Sequence, residues 1–257
     1  MTQPPPSPSL LQAGSVSVLV REGIATVSFG HPKSNSLPGA LLDRLAEAIT
    51  GAGRDPAARV IVLRSEGAGP FCAGASFDEL KAVRDAASGT RFFSGFAQVI
   101  LAMIRAPRLI VTRVQGRTVG GGLGLVAASD YALAAPGAAI KLSELALGLG
   151  PFVVGPVIER KIGPAAFGAL AVHADWRPAA WAERHGLYAE VLESTEELDR
   201  RVETFAKKLA GYDAQAMQRL KEVLWEGTGP WGELLARRAE ISGGLALSEY
   251  TRKLLGG

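Results

Sequence analysis

Cysteine occurs once in the 257 residues, as Cys72, so no intrachain disulfide can form and the chain suits a reducing compartment. A small buried residue is the preferred reading of that thiol over a nucleophile. Histidine is almost as scarce, and His31, His173 and His185 do not give a metal-ligand spacing, so no metal is expected. No apolar run approaches the roughly 20 residues that span a bilayer. Met1 to Ser9 is polar and proline-rich, without the basic-then-apolar order of a signal or transit peptide. The expectation is a cytoplasmic protein with no membrane partner, whose residues 1–13 form a disordered tail. No G-x-S-x-G elbow is present, since Gly74-Ala75-Ser76-Phe77 runs on to Asp78. The formal net charge is only +3 and its signs are mixed, as in Asp199-Arg200-Arg201-Val202-Glu203, so a solvated surface is expected and no nucleic-acid partner.

What the chain does have is enough apolar sequence for a large core, 47% of residues, and 31 glycines placed unevenly. The densest run is Gly120-Gly121-Gly122-Leu123-Gly124, which follows the apolar stretch from Leu109 to Gly116 and opens into Leu125-Val126-Ala127-Ala128. Its glycines let a backbone turn without Cβ obstruction and leave N–H groups unpaired at a helix start, where they favour negative charge. The spacing is not that of a dinucleotide turn, and no Gly-Lys-Ser/Thr closes it as in a phosphate loop. Glycines serving close packing alone are the competing reading. A second turn of the same kind, Phe71-Cys72-Ala73-Gly74-Ala75-Ser76, follows the β-branched run Val60-Ile61-Val62-Leu63. Two such turns can aim two N–H donors at one oxygen, the arrangement of an oxyanion hole.

F-C-A-G-A-S, then V-Q-G-x-x-x-G-G-G-L-G, then an acidic residue in Lys141-Leu142-Ser143-Glu144-Leu145, resembles the crotonase superfamily, the enoyl-CoA hydratase/isomerase family. The resemblance runs from Val16 to the C-terminal helices. It implies an α/β fold, a spiral of ββα units over residues 14–193, with a helical oligomerisation region over residues 194–257 that builds trimers or dimers of trimers. It implies an acyl-CoA thioester as substrate, with coenzyme A part of that substrate and no further cofactor. Ala75 and Gly121 would supply the oxyanion-hole amides and Glu144 the proton transfer. Lys33, Ala73, Gly74, Phe77, Gly120 and Phe152 would contact the thioester, although a solvated lysine is an equal reading of Lys33. Two-glutamate hydratases of the family carry a further carboxylate where this chain has Gly124. One carboxylate suits moving a proton between carbons, so double-bond isomerisation is slightly favoured. Hydration, thioester hydrolysis and a non-enzymatic RNA-binding role are the alternatives.

The remaining sequence supplies the frame. Arg21-Glu22-Gly23 reads as a hairpin turn, and Ser36 and Pro38 as the start of a helix with Leu41, Leu42, Leu45 and Ile49 on its apolar face. Phe92, Phe93, Phe96, Val99, Ile100 and Met103 lie on one amphipathic helix. At that spacing they read as core, and by the resemblance as a wall of the acyl pocket; both readings stand. Asp130 reads as a structural hydrogen-bonding partner. Glu144 sits among apolar residues, which predicts a raised pKa. Pro151 is expected to start a helix, and Phe152, Val153 and Val154 stand where many family hydratases have glycines, predicting a tighter, drier pocket on that side. Ser194 and Glu197 form a capping-box match, Asp213 caps the next helix, and Leu234, Leu235 and Ile241 make the apolar stripe of a later one.

Overall fold

Strands β1 (Ser15–Arg21) and β2 (Ile24–Gly30) pair antiparallel with Arg21 opposite Ile24, in a computed structural model that describes residues 14–256. The tail expected over residues 1–13 lies outside the described residues. Between the strands, Glu22 and Gly23 have φ of 51° and 78°, the double positive φ of a hairpin turn whose twist matches that of its strands.

From β2 onward the sheet is parallel. Strands β3 (Val60–Ser65), β4 (Leu109–Val114), β6 (Tyr131–Ala134) and β8 (Glu190–Val191) follow in the order β1-β2-β3-β4-β6-β8. Both faces are covered, so β3 and β4 are nearly continuous apolar runs. Ile61, Leu63 and Ile110 enter the main core with Leu42 and Leu45 of α1 (Gly39–Arg54). Val60, Val62, Leu109 and Val111 face the other way, towards Leu198, Val202 and Leu209.

A second layer joins the connections. Strand β5 (Thr118–Val119) pairs with β7 (Ile140–Lys141), and single bridges add Cys72 to Thr118 and Leu37 to Ala75. Each unit thus repeats a strand of the main sheet, a short stretch bridged in the second layer, and a helix: β2, the Leu37 bridge and α1; β3, the Cys72 bridge and α2 (Phe77–Ala82); β4-β5-α4 (Gly121–Ala127). Between the last two units runs α3 (Ala86–Arg105), with Asp85 and Ser88 forming a capping box at its start. This is the expected spiral of ββα units.

The helical remainder comprises α5 (Gly155–His173), α6 (Ala179–Arg184), α7 (Thr195–Ala210), α8 (Ala214–Leu224), α9 (Trp231–Ala246) and α10 (Glu249–Leu254). Ser194 and Asp213 cap α7 and α8 as expected, accepting from Glu197 N and Ala216 N. Helix α9 packs along α3, so the C-terminal helical region shares the main core through Leu235 and Ala239.

Four local expectations are corrected. The first helix begins at Gly39 with Pro38 as its unassisted cap residue, because Glu79 Oε2 accepts from Gly39 N at 2.8 Å while Ser36 Oγ lies 3.2 Å from His31 Nδ1. Residues 151–154 form a turn, and the helix expected from Pro151 starts at Gly155. Ile241 is 52% exposed; the buried stripe of α9 is Leu235, Ala239, Ser242 and Ala246. Helix α3, with 20 residues and an 18-residue stretch of mean hydropathy 1.2, does reach the length and apolarity of a membrane span, and its apolar face is taken up here by α1 and α9.

Candidate active site

The two glycine turns are held against each other by the bridge between Cys72 and Thr118, with Val119 N donating to Cys72 O at 2.9 Å. Gly74 has φ of 88°, and a Cβ there would lie 3.1 Å from Val119 O and 3.8 Å from Gly121 N, so the turns are in direct contact. Their neighbouring amides are spoken for: Gly74 N donates to Cys72 Sγ at 3.4 Å and Gly120 N to Lys141 O at 2.9 Å. Among the described residues, Ala75 N–H and Gly121 N–H have no protein acceptor. Cys72 itself is buried, which pushes its thiol up to about 12 and leaves it unreactive at neutral pH.

Glu144 follows β7 and caps a short 3₁₀ turn, Leu145–Leu147. Its Oε1 lies 3.0 Å from where a Cβ on Gly120 would stand. Gly120 therefore has two reasons to be glycine: the carboxylate beside it, and φ of 51° with ψ of −117°, a backbone state closed to ordinary side chains. The residue is only partly exposed, and its Oε2 is buried without a hydrogen-bond partner. Burial raises the carboxyl to about 7, against the smaller opposing effect of hydrogen bonds from its own and Ser143's backbone amides. Near neutral pH such a group both takes and gives a proton readily.

Both turns and Glu144 open on one cavity of about 110 Å³. Ala73, Gly74, Ala75, Phe77, Gly120, Gly121, Glu144 and Phe152, eight of the nine residues expected at the site, all line it. Lys33 does not; it forms an ion pair with Asp78, both side chains being largely exposed. Phe92, Phe93 and Phe96 form part of the wall, which decides between the two readings of that stripe in favour of both: Phe96 is 5% exposed and packs in the core while lining the cavity. A Cβ on Gly121 would fall 2.3 Å from Phe96 Cζ, so only glycine admits the ring. A larger open groove of about 830 Å³ between α1 and α3 is bordered by Asp43, Glu47, Arg54 and Arg105. The smaller cavity, with its two unpaired amides and the raised carboxyl of Glu144, is where chemistry can occur.

Gly124 is not an open position beside Glu144. A Cβ there would meet Val154 Cγ1 at 2.7 Å and Ile100 Cδ1 at 3.2 Å, so Val154 and α3 fill the space a side chain would need. Two contributors escaped the sequence reading. Lys221 of α8, 2% exposed, gives its three N–H donors to Met103 O and Arg108 O, each at 2.8 Å, and to Asp130 Oδ2 at 3.0 Å. Asp130 also accepts from Ile110 N and Trp225 Nε1, both at 2.7 Å, and so ties α8 to β4 just past the end of α4. Met217, Lys221 and Trp225 recur every fourth residue, a buried stripe with one lysine in it, and that was the available signal. Ser242 is the other: it occupies a stripe position on α9 and lines the cavity.

A parallel sheet whose successive turns meet over one buried acid defines a crotonase-type site. Solved structures with a similar fold include an enoyl-CoA hydratase from Bacillus halodurans, with a TM-score of 0.86 at 22% identity over 94% of this chain and 98% of that one, and another from Mycobacterium avium subsp. paratuberculosis K-10, with 0.83 at 22% identity over 94% and 98%. The sequence model of the family described as enoyl-CoA hydratase/isomerase matches residues 20–234, and the chain belongs to that family. Among relatives, a (7aS)-7a-methyl-1,5-dioxo-2,3,5,6,7,7a-hexahydro-1H-indene-carboxyl-CoA hydrolase of Rhodococcus jostii is 30% identical over 82% of this chain and 80% of its own. The mitochondrial methylglutaconyl-CoA hydratase of Rattus norvegicus is 34% identical over 64% of this chain and 52% of its own.

Proposed function

We propose that the protein is a CoA-thioester enzyme that moves the double bond of an enoyl-CoA with Glu144 as its single proton carrier. The observation that carries this reading is one buried, unpaired carboxyl oxygen facing a cavity beside two unpaired amides, with the second carboxylate position closed by Val154. In this mechanism the thioester carbonyl oxygen accepts from Ala75 N–H and Gly121 N–H. Glu144 takes the proton from carbon 2 of a 3-enoyl thioester, and the electron pair spreads over carbons 2 to 4 and the carbonyl oxygen. Each amide donor stabilises that dienolate by an amount worth about 10² to 10³ in rate. The carboxylic acid returns the proton to carbon 4, leaving the double bond between carbons 2 and 3. Coenzyme A arrives with the substrate, and no further cofactor enters the scheme.

Hydrolysis or hydration of a thioester is the second reading, favoured by the names of the Rhodococcus and rat relatives. Incubation with a panel of 2-enoyl and 3-enoyl coenzyme A thioesters, with mass analysis of the products, separates the reactions. Double-bond migration supports the proposal; a water adduct or free coenzyme A replaces it with the second reading. Assembly into trimers or dimers of trimers belongs to the same proposal. Leu220, Val223 and Leu224 of α8, 51%, 65% and 46% exposed, give it an apolar surface to bury.

A further inference from the structure

Ser242 is 1% exposed, lines the same cavity as Glu144, and has an Oγ with no hydrogen-bond partner. A helical serine or threonine ordinarily returns its hydroxyl to the carbonyl four residues back. Thr50 does so to Ala46 O at 2.8 Å and Ser94 to Thr90 O at 2.7 Å, whereas Ser242 makes no such bond. No other group substitutes for that bond, and Phe92, Phe93, Leu147 and Phe152 are among the residues lining the same cavity.

Close packing explains why the residue is small and not why it is polar. Helices α3 and α9 nearly touch where it sits: a Cβ on Gly243 would fall 2.7 Å from Thr90 N. Alanine would meet that need without an unpaired buried hydroxyl, which is destabilising until a partner arrives. Oε2 of Glu144 and Oγ of Ser242 are the two buried side-chain polar atoms without a hydrogen-bond partner on residues lining this cavity, among the described residues. The first has a role in the proposed proton transfer. The second is displaced along α3 from the oxyanion amides: its neighbour Gly243 abuts Gly89 and Thr90, nearly two turns before Phe96, whose ring meets Gly121.

We infer that Ser242 is a specificity-determining residue that hydrogen-bonds an oxygen carried by the acyl chain away from the thioester, so that the substrate class is an oxo- or hydroxy-substituted acyl-CoA rather than a plain hydrocarbon chain. This inference rests on the acyl-CoA reading of the cavity. It does not depend on which reaction follows, because recognition of the distal oxygen is a binding event. A site built around a polar partner discriminates strongly against the analogue lacking it, since its own buried group is then left unpaired.

The test is calorimetric titration of the full-length protein with hexanoyl-CoA and with its 4-, 5- and 6-oxo and hydroxy analogues. The expected result is that at least one oxygenated thioester binds about fivefold or more tighter than hexanoyl-CoA. Ser242→Ala should abolish that preference while holding hexanoyl-CoA within about twofold of the parent, and the unliganded variant should melt no lower than the parent. Ser242→Cys, nearly isosteric with a weak donor, should fall between the two. Oxo and hydroxy arms tell whether the hydroxyl donates or accepts. Equal or weaker binding of every oxygenated analogue, or a preference that survives Ser242→Ala, overturns the inference alone. Failure of all the thioesters to bind overturns it together with the acyl-CoA reading.

Discussion

Val154 occupies the space that a side chain on Gly124 would need, its Cγ1 lying 2.7 Å from the position of that missing Cβ. Gly124→Glu alone therefore forces a carboxylate into packed core, and it should destabilise the fold by about 1–3 kcal/mol through overpacking, with an added penalty for the buried charge. It should not create a hydratase. Gly124→Glu with Val154→Gly removes the obstructing methyl groups and should recover part of the lost stability. Denaturant melts of the two variants check this: a single mutant as stable as the parent would mean that the position is open after all.

Glu144 also makes stability depend on pH. Its folded pKa is raised from 4.5 to about 7, so the folded state binds this proton more tightly than the unfolded chain does. The associated stability is fully present below about pH 4.5 and is lost as pH rises through about 7. A shift of that size corresponds to at most about 3 kcal/mol. The pH profile of the unliganded protein should therefore slope downward between those limits, and Glu144→Gln should flatten the slope in that window. An unchanged profile in the variant would place the titration elsewhere.

Lys221 and Asp130, 3% and 4% exposed at their side chains, form a buried pair whose other hydrogen bonds are all to backbone or Trp225. Removing one partner of such a pair typically costs about 3–5 kcal/mol, because the remaining charge stays buried and uncompensated. Lys221→Met should fall in that range by chemical denaturation. Lys221→Met with Asp130→Asn should be less destabilised than Lys221→Met alone, since the orphaned charge is gone. Additive losses would show that the two residues act independently.

The parts of this molecule that were legible in advance are those set by local chemistry. Two positive-φ turns, a capping serine and aspartate, and apolar runs covered on both faces each follow from nearby residues. The assignment of Ala75, Gly121 and Glu144 to one site came instead from the resemblance of the ordered motifs to the crotonase superfamily. What was not legible depends on contacts between distant segments. Glu79 caps a helix 40 residues upstream, which no pattern around Ser36 and Pro38 foretells. Val154 closes on Gly124 across 30 positions of chain, and Ser242 reaches the cavity because α9 lies along α3. Lysine and serine on otherwise apolar stripes were the only local traces of Lys221 and Ser242.

The central claim is that one carboxyl, Glu144, carries the proton. The most direct measurement compares the parent and Glu144→Gln on a 3-enoyl coenzyme A thioester that the parent isomerises, following double-bond migration in heavy water and thioester affinity in parallel. General acid-base catalysis contributes about 10² to 10⁴ in rate, so turnover of the variant should fall by that order while the Kd stays within about threefold. In the parent, kcat/KM should rise with pH and level off above about 7, the pH at which Glu144 becomes a carboxylate able to accept the proton. A variant that keeps turnover within about threefold of the parent would contradict the account, and would make Glu144 a structural residue.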